Sequence, residues 1–364
     1  MCEGVEATPP GKLTAGSLPL SALGITVAAV ICVALLSFPS LGGNNYQLRV
    51  ASTLFFNVAL AVGFWAVYLT GLLNMTQIAF VGIGAYTTAA LAIHGHWSMW
   101  AAVPASVVAA LVVGVVIGYA TLRLRGSYFF LVSFAFLEVT RLFFTSFFKD
   151  QFGGTNGLTG VPRPPVLPVL GASVNLASPS GYYYLTLGLM LLTVTLIWRI
   201  VSSRNGLVLR ALSQSDSLAE SVGISSFRYR MLIFLTSTGL AGLAGSIYAY
   251  MNLVVFPTDF GLTRAVLVVV YTVVGGVGHI LGPMLGASVI TVLGEWLRRF
   301  GTLEQLAYGL VLVVVMLFVQ GGLVSVPGRI TKGSGRLPRS VARTAWKVRL
   351  QAMSSAAWRR RREE

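Results

Sequence analysis

Residues 51–70 read ASTLFFNVALAVGFWAVYLT, a run with no charged side chain. As a helix, such a run rises about 30 Å, which matches the hydrocarbon thickness of a bilayer. Leu20–Phe38 is a second run of this kind, and its only ionisable group is the thiol of Cys32. Inside hydrocarbon every backbone polar group needs an internal partner, and a helix supplies one. The chain around these runs has 364 residues, 55% hydrophobic and only 10% charged. Soluble domains carry about 25% charged residues. The sequence therefore predicts an all-α, polytopic membrane protein.

Extending the count along the chain gives about ten spans of bilayer-crossing length. They fall near 20–38, 51–70, 76–94, 99–121, 127–147, 182–202, 231–253, 262–280, 283–300 and 305–320. On this reading residues 1–19 are a cytoplasmic N-terminal segment, 20–325 the membrane domain and 326–364 a basic tail. The two acids and single lysine before Leu20 do not make a secretory signal, so the first run is read as a retained helix. Cys2 and Cys32 are the only cysteines and form no disulfide framework. Residues 149–181 form a Pro- and Gly-rich external loop, and residues 204–230 a charged loop on the opposite side.

Orientation follows from positive charge. The loop arginines and lysines divide almost evenly between the two sides, but Arg329–Glu364 holds eleven of the 26 Lys and Arg residues. Anionic lipid on a cytoplasmic face favours that tail inside. The tail also accounts for much of the net charge of +15.

Chemistry is sparse. The sequence has no phosphate-binding GxxxxGK[ST] loop, no HExxH and no GxSxG. Its histidines, His94, His96 and His279, have no carboxylate or cysteine at metal-ligand spacing. The residues predict a non-enzyme with no cofactor and no metal of its own. Among the polar groups, Glu138 and Arg141 lie three apart on one helical face, where an unpaired charge would be costly. They form either a neutralising structural pair or a gate latch. Asn74 and Gln77 are either packing hydrogen bonders or pathway-lining groups. Gly278, Gly282 and Gly286 recur every four residues, the spacing of a close helix approach. Pro283 predicts a helix break near Gly278–Pro283 that lines or borders a pathway.

The charged loop carries the clearest local signal. Ser217-Leu218-Ala219-Glu220 fits a capping box. Leu218, Ala219 and Val222 can share a short apolar face, and Gly223 follows where a helix would end in a left-handed residue. Together with Arg204-Asn205-Gly206 and Arg228-Tyr229-Arg230, this stretch resembles the cytoplasmic loop of branched-chain amino-acid ABC permeases of the LivM-like type. Four further blocks in the same order extend the resemblance over about residues 48–325. They are Gly71–Tyr86, Leu122–Gly126 with Phe134–Glu138, Gly153–Leu158 and Gly275–Gly286. The family commonly has Ser, Gly and His where this chain has Asn74, Thr76 and Gln77, and a small residue where it has Leu218.

The resemblance implies an ABC importer permease fold in a bacterial inner membrane. It implies that Ser217, Leu218, Ala219, Glu220 and Gly223 form the coupling helix that docks on an ATPase. Partners on this reading are a second homologous permease, two ABC ATPase subunits that bind the ATP, an external substrate-binding protein and membrane lipid, with no nucleic acid. The implied cargo is a branched-chain or related hydrophobic amino acid. A urea or short-amide permease is the near alternative. A stand-alone secondary transporter, which would need a functional intramembrane charge such as Glu138, is the distant one.

Overall fold

The computed structural model describes residues 37–39, 44–124, 126–147, 149–164, 166–169, 172–298 and 309. Five long helices come first: α1 (Asn45–Tyr68), α2 (Thr76–Ile93), α3 (Met99–Thr121), α4 (Ser127–Ser146) and α5 (Pro179–Ser202). Two short helices follow, α6 (Arg204–Gln214) and α7 (Asp216–Ser221). The chain then crosses again in α8 (Ser226–Asn252), α9 (Leu262–Gly275) and α10 (Leu281–Leu297). Among the described residues seven segments are long and apolar enough to cross a membrane, and α10 is a shorter apolar helix. The protein is thus an all-α, multi-pass membrane protein. Eight of the ten expected spans fall on these helices. All of the tenth but residue 309, and all but the end of the first, lie outside the described residues, as do the N-terminal segment and the basic tail.

The helices form an inner and an outer set. In α1 and α2, 78% of the most apolar window is buried, against 28% in α3 and α4. Around α1 and α2 pack α8, α9 and α10, while α3, α4 and α5 border them. Close approach depends on glycine. A Cβ on Gly84 would strike the Gly242 carbonyl, and one on Gly245 would strike that of Val81, so α2 and α8 cross almost backbone to backbone. Gly114 and Gly118 of α3 receive Thr238, Met231 and Phe234 of α8 in the same manner.

Several boundaries differ from the sequence reading. α1 begins six residues early, at Asn45, and carries Arg49 in its first turns. Its 24 residues span about 36 Å, longer than the hydrocarbon core, so charge at the end is tolerated. The expected break near Gly278–Pro283 lies at residues 276–280, because α9 stops at Gly275 and α10 starts at Leu281. Pro283 sits inside the first turn of α10, where a missing amide leaves no hydrogen bond unmade. The Pro- and Gly-rich loop at residues 149–181 contributes short strands. Leu158–Thr159 (β1) pairs antiparallel with Val254–Val255, and Val166–Val169 pairs with Ala172–Asn175.

Candidate functional site

α7 is a six-residue helix secured at both ends. Ser215 caps it, its hydroxyl accepting from the Leu218 amide at 3.4 Å. At its other end the Gly223 amide donates to the Glu220 carbonyl at 3.0 Å and the Ile224 amide to that of Ala219 at 3.1 Å. This double closure requires a left-handed residue, and Gly223 has φ +82°. The sequence put the cap at Ser217, two residues late. The Glu220 carboxylate accepts from Ser226 Oγ at 2.9 Å.

Two contacts bolt α7 to α8. One is Glu220–Ser226. The other is an ion pair, with Arg230 Nη2 donating to both Asp216 oxygens at 2.8 and 2.9 Å. These side chains are only 7% and 14% exposed. Asp216 draws the helix start forward from Ser217, which explains the displaced cap. The apolar residues do not share one face as expected. Ala219 is buried, whereas Leu218 and Val222, four apart, are 71% and 74% exposed. One residue of helix turns the side chain by about 100°, so Ala219 meets the bundle while the other two face out. α6 adds an outward Leu207. It also rests on the α1–α2 turn, since a Cβ on Gly71 would sit 3.4 Å from Ser213 Cα.

The polar residues of that turn are engaged within the chain. Asn74 Oδ1 accepts from the Thr76 amide and hydroxyl at 3.1 and 2.6 Å, which satisfies the first amide of α2. Gln77 Nε2 donates to the Leu60 carbonyl at 2.9 Å, and its Oε1 has no partner among the described residues. Both side chains are buried. Glu138 and Arg141 form an ion pair at 2.8 Å on the half-buried face of α4. Gly282 lies against the Gly276 carbonyl at the α9–α10 seam, and Gly278 meets open space.

None of these residues lines the cavity near the opposite end of the bundle. That cavity, ≈ 260 Å³, lies between α1, the turn Pro257–Phe260 and α9, lined by Asn57, Asp259, Arg264, Leu267, Val268 and Tyr271 among others. The sequence reading passed over Asp259, Asp216 and the pairing role of Arg230. The first two are acids in short polar stretches with no motif around them. A cue was available in the acid five residues before Arg264, where a span begins.

A family model described as "branched-chain amino acid transport system / permease component" matches residues 46–320. The chain belongs to this family. Among its relatives is the LivM permease of a high-affinity branched-chain amino acid transport system from Escherichia coli K12. That protein is 27% identical over 277 residues, 70% of this chain and 64% of the relative. This permease thus spans under two thirds of the length of LivM. The LivH permease of Salmonella typhimurium is 23% identical over 74% of this chain and 91% of its own length. A fructose import permease, FruG of Bifidobacterium longum, is 28% identical over 133 residues, 35% of this chain. No solved structure matches this permease.

Proposed function

We propose that this permease is the membrane-spanning subunit of an ATP-driven importer for branched-chain or related hydrophobic amino acids in a bacterial inner membrane. It works beside a second permease, with two ATPases on the cytoplasmic side and a binding protein outside. The observation that carries the reading is α7, a capped helix that shows Leu218 and Val222 to solvent while Asp216 and Glu220 tie it to α8. An exposed apolar pair on a rigid mount suits docking into a cleft of a partner protein. Movement of that partner pulls on α8, which crosses the bundle against α2 and α3. α8 would thereby bias the helices between inward and outward access, as far as the ATPase binds the two states differently. The LivM and LivH relatives support the cargo.

Proteoliposomes holding the complete complex, with binding protein outside and ATP inside, test this reading. Labelled leucine accumulates only with ATP, and labelled urea does not. Accumulation of urea alone, or of leucine without ATP, would overturn it.

A further inference from the structure

The cavity beside α9 holds one acid and one base that are not paired with each other. Asp259 accepts from Tyr248 Oη at 2.8 Å, which fixes the carboxylate against a buried ring. The Arg264 guanidinium lies over the rings of Phe56 and Tyr248, 5.5 and 5.2 Å from their centroids. Among the described residues neither charge has an ion-pair partner. Arg264 also stands in the first turn of α9, where the helix dipole disfavours a cation and welcomes an anion. Ring contacts hold it there, but no carboxylate neutralises it among the described residues. Below the charges lie Leu267 and Val268, and Thr258 and Thr263, both exposed, edge the mouth.

We infer that this cavity is a transit site for a neutral, zwitterionic amino acid, an inference that rests on the import reading above. Arg264 and the α9 N-terminus take the carboxylate in charge-assisted hydrogen bonds. Asp259 takes the ammonium group, and the aliphatic side chain lies on Leu267 and Val268. The volume of ≈ 260 Å³ is far more than the roughly 10–15 Å³ that one water needs, so the cavity admits a small solute. The acid and base balance, so a substrate with a third charge would leave that charge unpaired in the site. A short amide or a sugar, lacking both charges, would leave the Asp259 and Arg264 charges unanswered.

The test uses the reconstituted complex, with labelled leucine and alanine as probes and uptake expressed per assembled complex. Asp259→Asn and Arg264→Gln each lower leucine uptake at least tenfold. Leu267→Phe, which narrows the apolar end, lowers the ratio of leucine to alanine uptake about fivefold, a change that reduced assembly cannot produce. Wild-type leucine uptake in the charge variants, or an unchanged ratio in Leu267→Phe, overturns the site while leaving the import reading intact. A wild-type complex that carries no amino acid overturns both. If the charge variants do not assemble, the ratio in Leu267→Phe decides.

Discussion

Gly223 and the Asp216–Arg230 pair determine whether α7 exists as a helix. Gly223 adopts φ +82°, where a β-branched side chain costs about 1–2 kcal/mol or more. Open space surrounds its Cα, so the cost of Gly223→Val is conformational rather than steric. Such a change is expected to leave the bundle folded and to reduce ATP-dependent uptake, because the closing turn of α7 unwinds. Full uptake by that variant would count against the coupling role. Asp216→Ala should cost more, about 3 kcal/mol, because it strands a nearly buried guanidinium. Hydrogen exchange would show that loss as faster exchange confined to residues 204–225, with the core of α1 and α2 unchanged. The two positions differ in how readable they were. A glycine after a short polar helix is a signal in itself, whereas Asp216 and Arg230, fourteen residues apart, meet only because α7 folds back on α8.

Among the helices, the α9–α10 hairpin shows how a glycine pattern is used selectively. Gly278, Gly282 and Gly286 share one spacing, yet only the last two serve the seam. A Cβ on Gly282 or Gly286 would enter the Gly276 or Tyr271 carbonyl, while one on Gly278 meets nothing within 4 Å. The spacing shows which residues can approach a neighbour, but the turn at 276–280 decides which of them do. Gly282→Ala is therefore predicted to destabilise the purified permease by about 1–3 kcal/mol, the usual cost of overpacking. Gly278→Ala should leave the thermal midpoint within error, and equal shifts in both variants would refute the seam. The hairpin is joined to α1 by Trp65 Nε1, which donates to the Val277 carbonyl at 2.8 Å, and by Asn57 Nδ2, which donates to Thr291 Oγ1 at 3.0 Å. Apolar run length located these helices well in the sequence. It placed their ends poorly, since α1, α5 and α8 all extend into polar flanks that composition assigns to loops.

For the whole molecule, the class was legible because a bilayer imposes length and apolarity on every crossing, and both can be counted residue by residue. The short helix α7 was legible through its closing glycine, while its capping signal pointed two residues late. The cavity was not, because Asn57, Asp259 and Arg264 come from three separate elements and none carries a periodic signature. On the proposed reading the two ends of the bundle have different tasks: α6 and α7 would present an apolar face to a partner, and the far end would offer balanced charge to a small solute. The central claim is that the outward face of α7 holds the ATPases. Its most direct test is gentle-detergent purification of the tagged permease from native membrane, as wild type and as the double variant Leu218→Asp/Val222→Asp, followed by mass spectrometry of the intact complexes. The wild type should bring two ATPase chains and a second permease, and the double variant should keep the second permease and lose the ATPases. ATPases retained equally by both, or a wild type that emerges alone, would contradict the account.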